Sequence, residues 1–320
     1  MSDNLKKILL VGTGKMSRIY AKVLRDNHDL LVVGRGEKKT NEFKALFADA
    51  EVLAGGLTSE IIKKFSPDTA VIATSADQLF AMTSLLLENG VKNILVEKPS
   101  ALFAKDIKKL NELAKENNAE VFLSYNRRHY ASVLKAQEII EEDGGILSVN
   151  FEFTEWINKI DTAKFVPLVY EKLVLSYSSH ILDLVFYLIG KPAELNSDIK
   201  GKNVIPYHKS GAIFTGSGIS DKNIPFTYHT NFLAPGRWAV EVLTKKHRLY
   251  FKPVEKLSVQ KMDSLEIQEV PIEDYLEKEY SHGIYRMVDD FLNTQNSRLC
   301  TLDYHADMFK HYTKIAGYDD

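Results

Sequence analysis

The sequence predicts an α/β chain: an N-terminal domain with a doubly wound parallel sheet, then an α+β domain built on a large, mostly antiparallel sheet. Three observations predict it. Apolar strand-like runs alternate with helix-like segments through residues 1–124. The first of those runs ends in Gly12-Thr13-Gly14 and opens a helix. Beyond residue 125 strand-like runs dominate, interrupted by few strong helices. Alternating strands and helices bury both faces of a parallel sheet, whereas consecutive strands favour antiparallel pairing.

Taken in order, residues 6–11 form a short apolar run that stops at the glycine turn, as a buried strand does. In 16–26 the apolar residues Met16, Ile19, Tyr20, Val23 and Leu24 fall at helical spacing. A strand is expected at 30–33, a helix at 41–47, a short strand at 51–53 and a helix at 59–65. Residues 68–74 read as a β-branched strand, and 79–89 as a helix closed by Gly90. The next strand, 93–96, runs into Glu97-Lys98-Pro99; a helix at 105–117 and a strand at 120–124 complete the series. Residues 1–124 are therefore expected to form a Rossmann-type dinucleotide-binding domain.

Residues 125–320 are expected to form a substrate-binding and oligomerisation domain, its C-terminal helix packing back on the first. A helix at 133–142 is stopped by Gly144-Gly145. Strands are predicted at 146–155, 213–215, 226–233, 239–243, 247–251 and 265–270, and helices at 174–188, 283–292 and near 304–315.

Composition removes several functional classes. With 320 residues there is room for two domains. The 41 Lys+Arg and 43 Asp+Glu leave a net charge of −2, which gives no footprint for nucleic acid; the cluster Lys245-Lys246-His247-Arg248 reads as a solvated strand end. The single cysteine, Cys300, excludes a disulfide framework within the chain and a Cys-rich zinc site. His305 and His311 are six apart, off a common helical face, so no metal is expected. Residues 1–7 are polar and carry no signal-peptide pattern, and no apolar run is long enough to span a bilayer. A cytoplasmic protein with no membrane partner is the expectation.

The turn Gly12-Thr13-Gly14-Lys15-Met16-Ser17 sits where a dinucleotide fingerprint belongs. Its first glycine permits the tight turn and its second lets the backbone approach a pyrophosphate at the positive helix end. Ser17 stands in the third glycine's place, small enough for close helix–strand packing. At the tip of the second strand the chain reads Val33-Gly34-Arg35-Gly36, followed by Lys38 and Lys39, with no carboxylate for a ribose 2′-hydroxyl. Arg35 suits a 2′-phosphate, so NADP is favoured over NAD. The alternative is a solvated turn in which Glu37 serves the ribose.

Glu97-Lys98-Pro99, together with the glycine turn, resembles the Gfo/Idh/MocA oxidoreductase family. Tyr125-Asn126-Arg127-Arg128 looks like that family's hinge, and Ser179-His180-Ile181-Leu182-Asp183-Leu184 like its second-domain catalytic helix. The resemblance implies hydride transfer between a nicotinamide and a carbinol or keto carbon of a sugar. It implies that Lys98 hydrogen-bonds substrate, that a cis peptide precedes Pro99, and that His180 is the proton carrier. It makes Gly12, Thr13, Gly14, Lys15, Met16, Arg35, Thr74, Ser75, Glu97, Lys98 and Pro99 the candidate cofactor contacts. One departure stands out. The family commonly carries Asp four residues before the histidine, and Ser176 is there instead. Asp183 is read as structural, and Tyr177 and Tyr125 as substitute proton carriers.

Further candidates for substrate contact are Tyr125, Arg127, Ser176, Tyr177, Trp156 and Arg237. Trp156 is read first as a core-edge ring and alternatively as a platform for a sugar face. Arg237 is read as either a carboxylate or phosphate ligand or a strand-end salt bridge. The segment 237–257 resembles relatives of surface-polysaccharide pathways, which points to nucleotide-linked or amino sugars. Ser281 is expected to cap a late helix beside His282. Phe151, Phe153, Val240 and Val242 are expected to line an open sheet face that a second copy covers, giving a homodimer or homotetramer. Two other functions stay open: a catalytically weak nucleotide-binding scaffold or sensor, motivated by Ser176, and a redox-neutral sugar-modifying enzyme with tightly held NAD.

Overall fold

The computed structural model describes residues 6–25, 28–272, 274–293 and 298–319. The polar leader up to residue 5 and the expected last residue of the first helix, Asp26, lie outside the described residues. The chain divides into two compact units, Met1–Ser124 with Ile284–Asp307, and Tyr125–Gly283 with Met308–Asp320.

In the first unit, strands and helices alternate: β1 Lys7–Val11, α1 Lys15–Leu24, β2 Asp29–Val33, α2 Glu37–Leu46, β3 Glu51–Leu53, α3 Ser59–Phe65, β4 Thr69–Ile72, α4 Leu79–Glu88, β5 Asn93–Val96, α5 Ala104–Glu116 and β6 Glu120–Leu123. The six strands are parallel, in the order β6-β5-β4-β1-β2-β3, and the short strand Cys300–Thr301 pairs antiparallel on the free edge of β6. Ile8, Leu9, Leu10 and Val11 are all buried, as a central strand covered on both faces requires. Chain order reverses between β1 and β4, so the strand ends there open the crevice in which doubly wound sheets bind ligands.

The first unit also recruits a distant segment. The helix Ile284–Leu292 turns Ile284, Met287, Val288 and Phe291 into the same core as Ile8, Leu10 and Tyr20, with Phe291 edge-on to Phe122 at 5.9 Å. Those four residues carry the i, i+3, i+4, i+7 stripe of a helix with one apolar face. Residues 284–307 therefore leave the continuous 125–320 block that the sequence reading drew. The last helix, Leu302–Ala316, has its residues through Asp307 in the first unit and those from Met308 in the second.

The second unit contains α6 Ala131–Glu142, β7 Ser148–Glu152, α7 Pro167–Glu171, a π-helical turn Val174–Ser178 that continues as α8 Ser179–Ile189, then β8 Pro192–Lys200, β9 Ile213–Ser220, β10 Pro225–Asn231, β11 Ala239–Leu243, β12 His247–Phe251, β13 Ser258–Lys261, β14 Ile267–Glu269 and α9 Tyr275–Tyr280. Its eight strands run β14-β13-β12-β11-β7-β10-β9-β8, antiparallel except for the parallel pair β7/β10. The fold is the predicted one: a Rossmann-type parallel sheet followed by a mostly antiparallel sheet.

Two readings of the second unit are corrected. Phe151, Phe153, Val240 and Val242 do not line an open face: each is buried within the chain. Phe186 of α8 packs edge-on against Phe151 at 6.2 Å, so the helix covers the apolar positions that the alternation had assigned to a partner. The exposed positions are polar, as at Asn150 and Thr227, which hydrogen-bond each other at 3.0 Å. Ser281 does not cap the late helix; it sits at φ +82 where α9 ends, and the next helix begins at Ile284.

Candidate active site

The glycine turn separates what the fold requires from what it leaves open. Gly12 has φ +118, and a Cβ there would lie 2.5 Å from the Ala73 carbonyl oxygen, so the sheet itself demands glycine. Gly14 differs. It is the N-cap of α1 with an extended backbone, and a Cβ there would meet nothing within 4 Å. No side chain caps α1 and no acidic residue occupies its first turn. The bare approach to these N–H groups is suited to an anion. Ser17 is fully buried and donates to Ala73 O at 3.2 Å, which fits the close-packing role expected of the third position. Lys15 is exposed, Met16 half-buried and Thr13 buried.

Thr74 and Ser75 follow β4, half-buried, and the Thr74 hydroxyl is buried without a hydrogen-bond partner among the described residues. That orphaned group and the open Gly14 cradle lie after neighbouring strands, β4 and β1, and both fit a dinucleotide. After β2, a Cβ on Gly34 would strike Thr40 and Thr13, so glycine is again imposed by packing. Arg35, Lys38 and Lys39 are exposed, and no side-chain hydrogen bond or ion pair engages any of them among the described residues. Glu37 is also exposed, in the first turn of α2.

Glu97-Lys98-Pro99 leaves β5 with the Lys98–Pro99 bond cis. Glu97 Oε1 accepts from Tyr20 Oη at 2.8 Å. Burial and the neighbouring Glu97 carboxylate push the Tyr20 phenol well above its ordinary pKa, so it remains a donor. His305 is fully buried and donates from Nε2 to Pro99 O at 3.0 Å. The turn is thus held from both sides while Lys98 stays half-buried. Neither Tyr20 nor His305 was assigned this role from the sequence, because the contacts join residues 77 and 206 positions apart.

In the second unit the structure gathers Tyr125, Arg127, Trp156, Tyr177, His180 and Arg237 around a residue the sequence left without a role, Glu155. Its side chain is buried and accepts from Arg237 Nη1 at 2.6 Å, Trp238 Nε1 at 3.0 Å and Ser178 Oγ at 2.8 Å. Both Arg237 and Arg127 stack on Trp238, with guanidinium carbons 4.3 and 4.5 Å from the ring centroid. The His180 ring lies 6.2 Å from Trp238 and 5.7 Å from Tyr125, centroid to centroid. Burial, Tyr170 and Glu155 push the Tyr177 phenol up to about 12, which makes it a proton holder at neutral pH. Burial lowers the Arg127 pKa from its usual value, opposed in part by Tyr130, Glu255 and Glu155, with a smaller lowering from Arg237. Trp156 is 48% exposed, not a core-edge ring; it donates to Gly236 O at 2.8 Å and carries Arg237 and Lys159 each at 4.9 Å. Such a signal was visible only in part: Glu155 beside Trp156 in a strand otherwise apolar on alternate positions.

Asp183 is structural, as read. It forms a two-pronged ion pair with Arg128, at 2.5 and 2.8 Å, with both side chains buried. A π-helical turn at Val174–Ser178 precedes α8. Ser176 lies within that turn and His180 in the first turn of α8, so their four-residue spacing crosses the junction between the two.

Comparison with known proteins agrees with this fold. The sequence profile of the Gfo/Idh/MocA group, described as an oxidoreductase family with an NAD-binding Rossmann fold, matches residues 6–125. An uncharacterised oxidoreductase of Schizosaccharomyces pombe is 26% identical over 209 residues, 62% of this chain and 56% of that one. The uncharacterised oxidoreductase YhhX of Escherichia coli is 29% identical over 143 residues, 44% of this chain and 41% of that one. The matched stretch thus spans about half the length of these curated relatives. Among solved structures, the fold is shared with an Agrobacterium radiobacter oxidoreductase in complex with NAD+, L-tartaric acid and magnesium (TM-score 0.78, 14% identity, 96% and 94% of the two chains). It is shared with UDP-N-acetylglucosamine 3-dehydrogenase of Acidithiobacillus ferrooxidans (0.74, 13%, 96% and 95%). It is shared also with an inositol dehydrogenase homologue of Azotobacter vinelandii complexed with NADH and myo-inositol (0.75, 14%, 98% and 96%). The domain at residues 6–125, with its glycine turn after β1 and its Glu-Lys-Pro turn after β5, is the part of the chain that matches the Gfo/Idh/MocA oxidoreductase family.

Proposed function

We propose that the protein is an NADP-preferring dehydrogenase or reductase that moves a hydride between nicotinamide and a carbinol or keto carbon of a sugar. The observation that carries the reading is the Glu97-Lys98-Pro99 turn, braced by Tyr20 and His305 at the end of β5, on the same sheet as an open glycine cradle after β1. Gly12, Thr13, Gly14, Lys15 and Met16 would hold the pyrophosphate, Thr74 and Ser75 the ribose–nicotinamide side, and Arg35 a 2′-phosphate. A bound nicotinamide supplies the hydride acceptor or donor. Lys98 donates to the substrate oxygen and stabilises the negative charge that develops there. His180 takes the hydroxyl proton during oxidation and returns it during reduction. The sugar dehydrogenases among the structural neighbours support the substrate class.

The test is a titration with NADPH and with NADH followed by nicotinamide fluorescence, then turnover with a panel of free and nucleotide-linked sugars. Tight NADPH, weak NADH and turnover abolished by Lys98→Ala are expected. Tight nucleotide binding with no turnover on any sugar favours the scaffold reading, and a nucleotide that co-purifies and never exchanges favours redox-neutral chemistry.

A further inference from the structure

We propose that Arg127, Arg237 and Trp238 form an anion subsite in the second unit, so that the substrate carries a carboxylate or a phosphate group. The inference deepens the reading of this cluster as a substrate site and rests on it. Two guanidinium groups share one indole, at 4.3 and 4.5 Å from its centroid. The carboxylate beside them, Glu155, already accepts from Arg237, Trp238 and Ser178, so its acceptor capacity is largely used. It pairs with Arg237 directly, and both it and Glu255 reach Arg127 only through space. Among the described residues, Arg127 makes one side-chain hydrogen bond, to the neutral Asn126 amide at 3.2 Å, and its Nε is a buried donor without a partner. Lys159, over Trp156, adds a third cation to the same patch.

Two like charges stacked on one ring repel, and a buried guanidinium donor left unpaired costs free energy. Both penalties fall when a forked anion bridges the arginines, because guanidinium matches carboxylate and phosphate oxygens two at a time. Arg237 is pre-oriented by Glu155, and its side chain remains 40% exposed, so it can accept such a ligand without breaking its ion pair. The subsite lies beside His180, whose ring is 6.2 Å from Trp238. An anionic group held there sets which carbon of a sugar acid or sugar phosphate reaches the proton carrier.

The chain supplies its own probe. Its two tryptophans, Trp156 and Trp238, both lie in this patch, so intrinsic tryptophan fluorescence reports on it. The experiment titrates the whole protein with inorganic phosphate, with malonate and, as a neutral control, with glucose, each at ionic strength matched with NaCl. A saturable change with phosphate, malonate or both is expected, and none with glucose. Response to phosphate alone assigns a sugar phosphate or nucleotide-linked sugar; response to malonate alone assigns a sugar acid. Arg127→Gln and Arg237→Lys are each expected to weaken the response at least about tenfold, the weight of a charge-assisted fork. Far-ultraviolet circular dichroism verifies that each variant is folded. No saturable change with either anion, or a response that survives both substitutions, overturns the subsite. Nucleotide binding measured on the same preparation separates the two readings. Anion response without NADPH or NADH binding sinks the oxidoreductase function and leaves the subsite, and the converse sinks the subsite alone.

Discussion

His305 donates from Nε2 to the carbonyl oxygen of Pro99 across 3.0 Å, tying a helix near the end of the chain to the turn that carries Lys98. The imidazole is fully buried. Replacing it with alanine removes a donor and leaves a cavity. His305→Ala is expected to cost about 2–4 kcal/mol in urea unfolding. It is also expected to lower kcat more than it alters NADPH affinity, because the turn loosens while the glycine cradle is untouched. An unchanged kcat with the full stability loss would show that His305 acts only on the fold.

Lys98 tests the chemistry itself. Lys98→Ala is expected to reduce kcat by about a hundredfold or more, the usual weight of a lost charge-stabilising donor. NADPH binding should stay within a few-fold of wild type. Steady-state turnover and nicotinamide fluorescence on the same preparation read both quantities.

Arg35 tests the cofactor preference. It is exposed at the tip of β2 beside Lys38 and Lys39. Arg35→Ala is expected to weaken NADPH about tenfold or more and to leave NADH unchanged, since only the former offers a phosphate to the guanidinium. Equal losses for the two nucleotides would return the ribose to Glu37 or the backbone.

Arg128 and Asp183 form a buried, two-pronged ion pair that joins the start of the second unit to α8. Breaking it strands a charge. Asp183→Ala is expected to destabilise the protein by about 3–5 kcal/mol, with the double variant Arg128→Met/Asp183→Leu recovering most of the loss. Urea midpoints of the three proteins decide it.

His208 gives a pH dependence. It is fully buried, donates from Nδ1 to Gly211 O at 3.1 Å and lies 3.0 Å from Tyr318 Oη through Nε2. Burial, opposed in part by the Gly211 bond, lowers its pKa to about 4. The unfolded chain, with an ordinary histidine near ~6.5, binds the proton first as pH falls. The stability is therefore fully present above about pH 6.5 and is lost as pH drops toward 4. Unfolding at pH 7.5 and pH 5 is expected to show this slope, up to about 3 kcal/mol over the full window, and His208→Gln should flatten it.

The chemistry-bearing turns were legible because they are local. Gly12 reads from sequence since a tight turn after a strand needs positive φ, and the structure adds the Ala73 carbonyl that a side chain would strike. Polar edge strands were not legible. Of the nine residues of β8 only Pro192 is buried, so no apolar alternation announces the strand. The alternation at Phe151, Phe153, Val240 and Val242 was read as an open face for a second copy; the residues are apolar on one face, but the sequence does not say what covers it, and α8 does.

By itself the sequence determined the order of strands and helices through residue 124, the parallel character of the first sheet and the residue types available for dinucleotide and proton chemistry. Those follow from interactions within a few residues: periodicity, glycine torsions and helix ends. Only the tertiary structure decided that residues 284–307 return to the first unit, that Tyr20 and His305 brace the Lys98 turn, and that Glu155 is the buried acceptor joining Arg237, Trp238 and Ser178. Those pairings join residues tens to hundreds of positions apart, and they are fixed by which apolar faces can be buried together, a property of the packed chain as a whole.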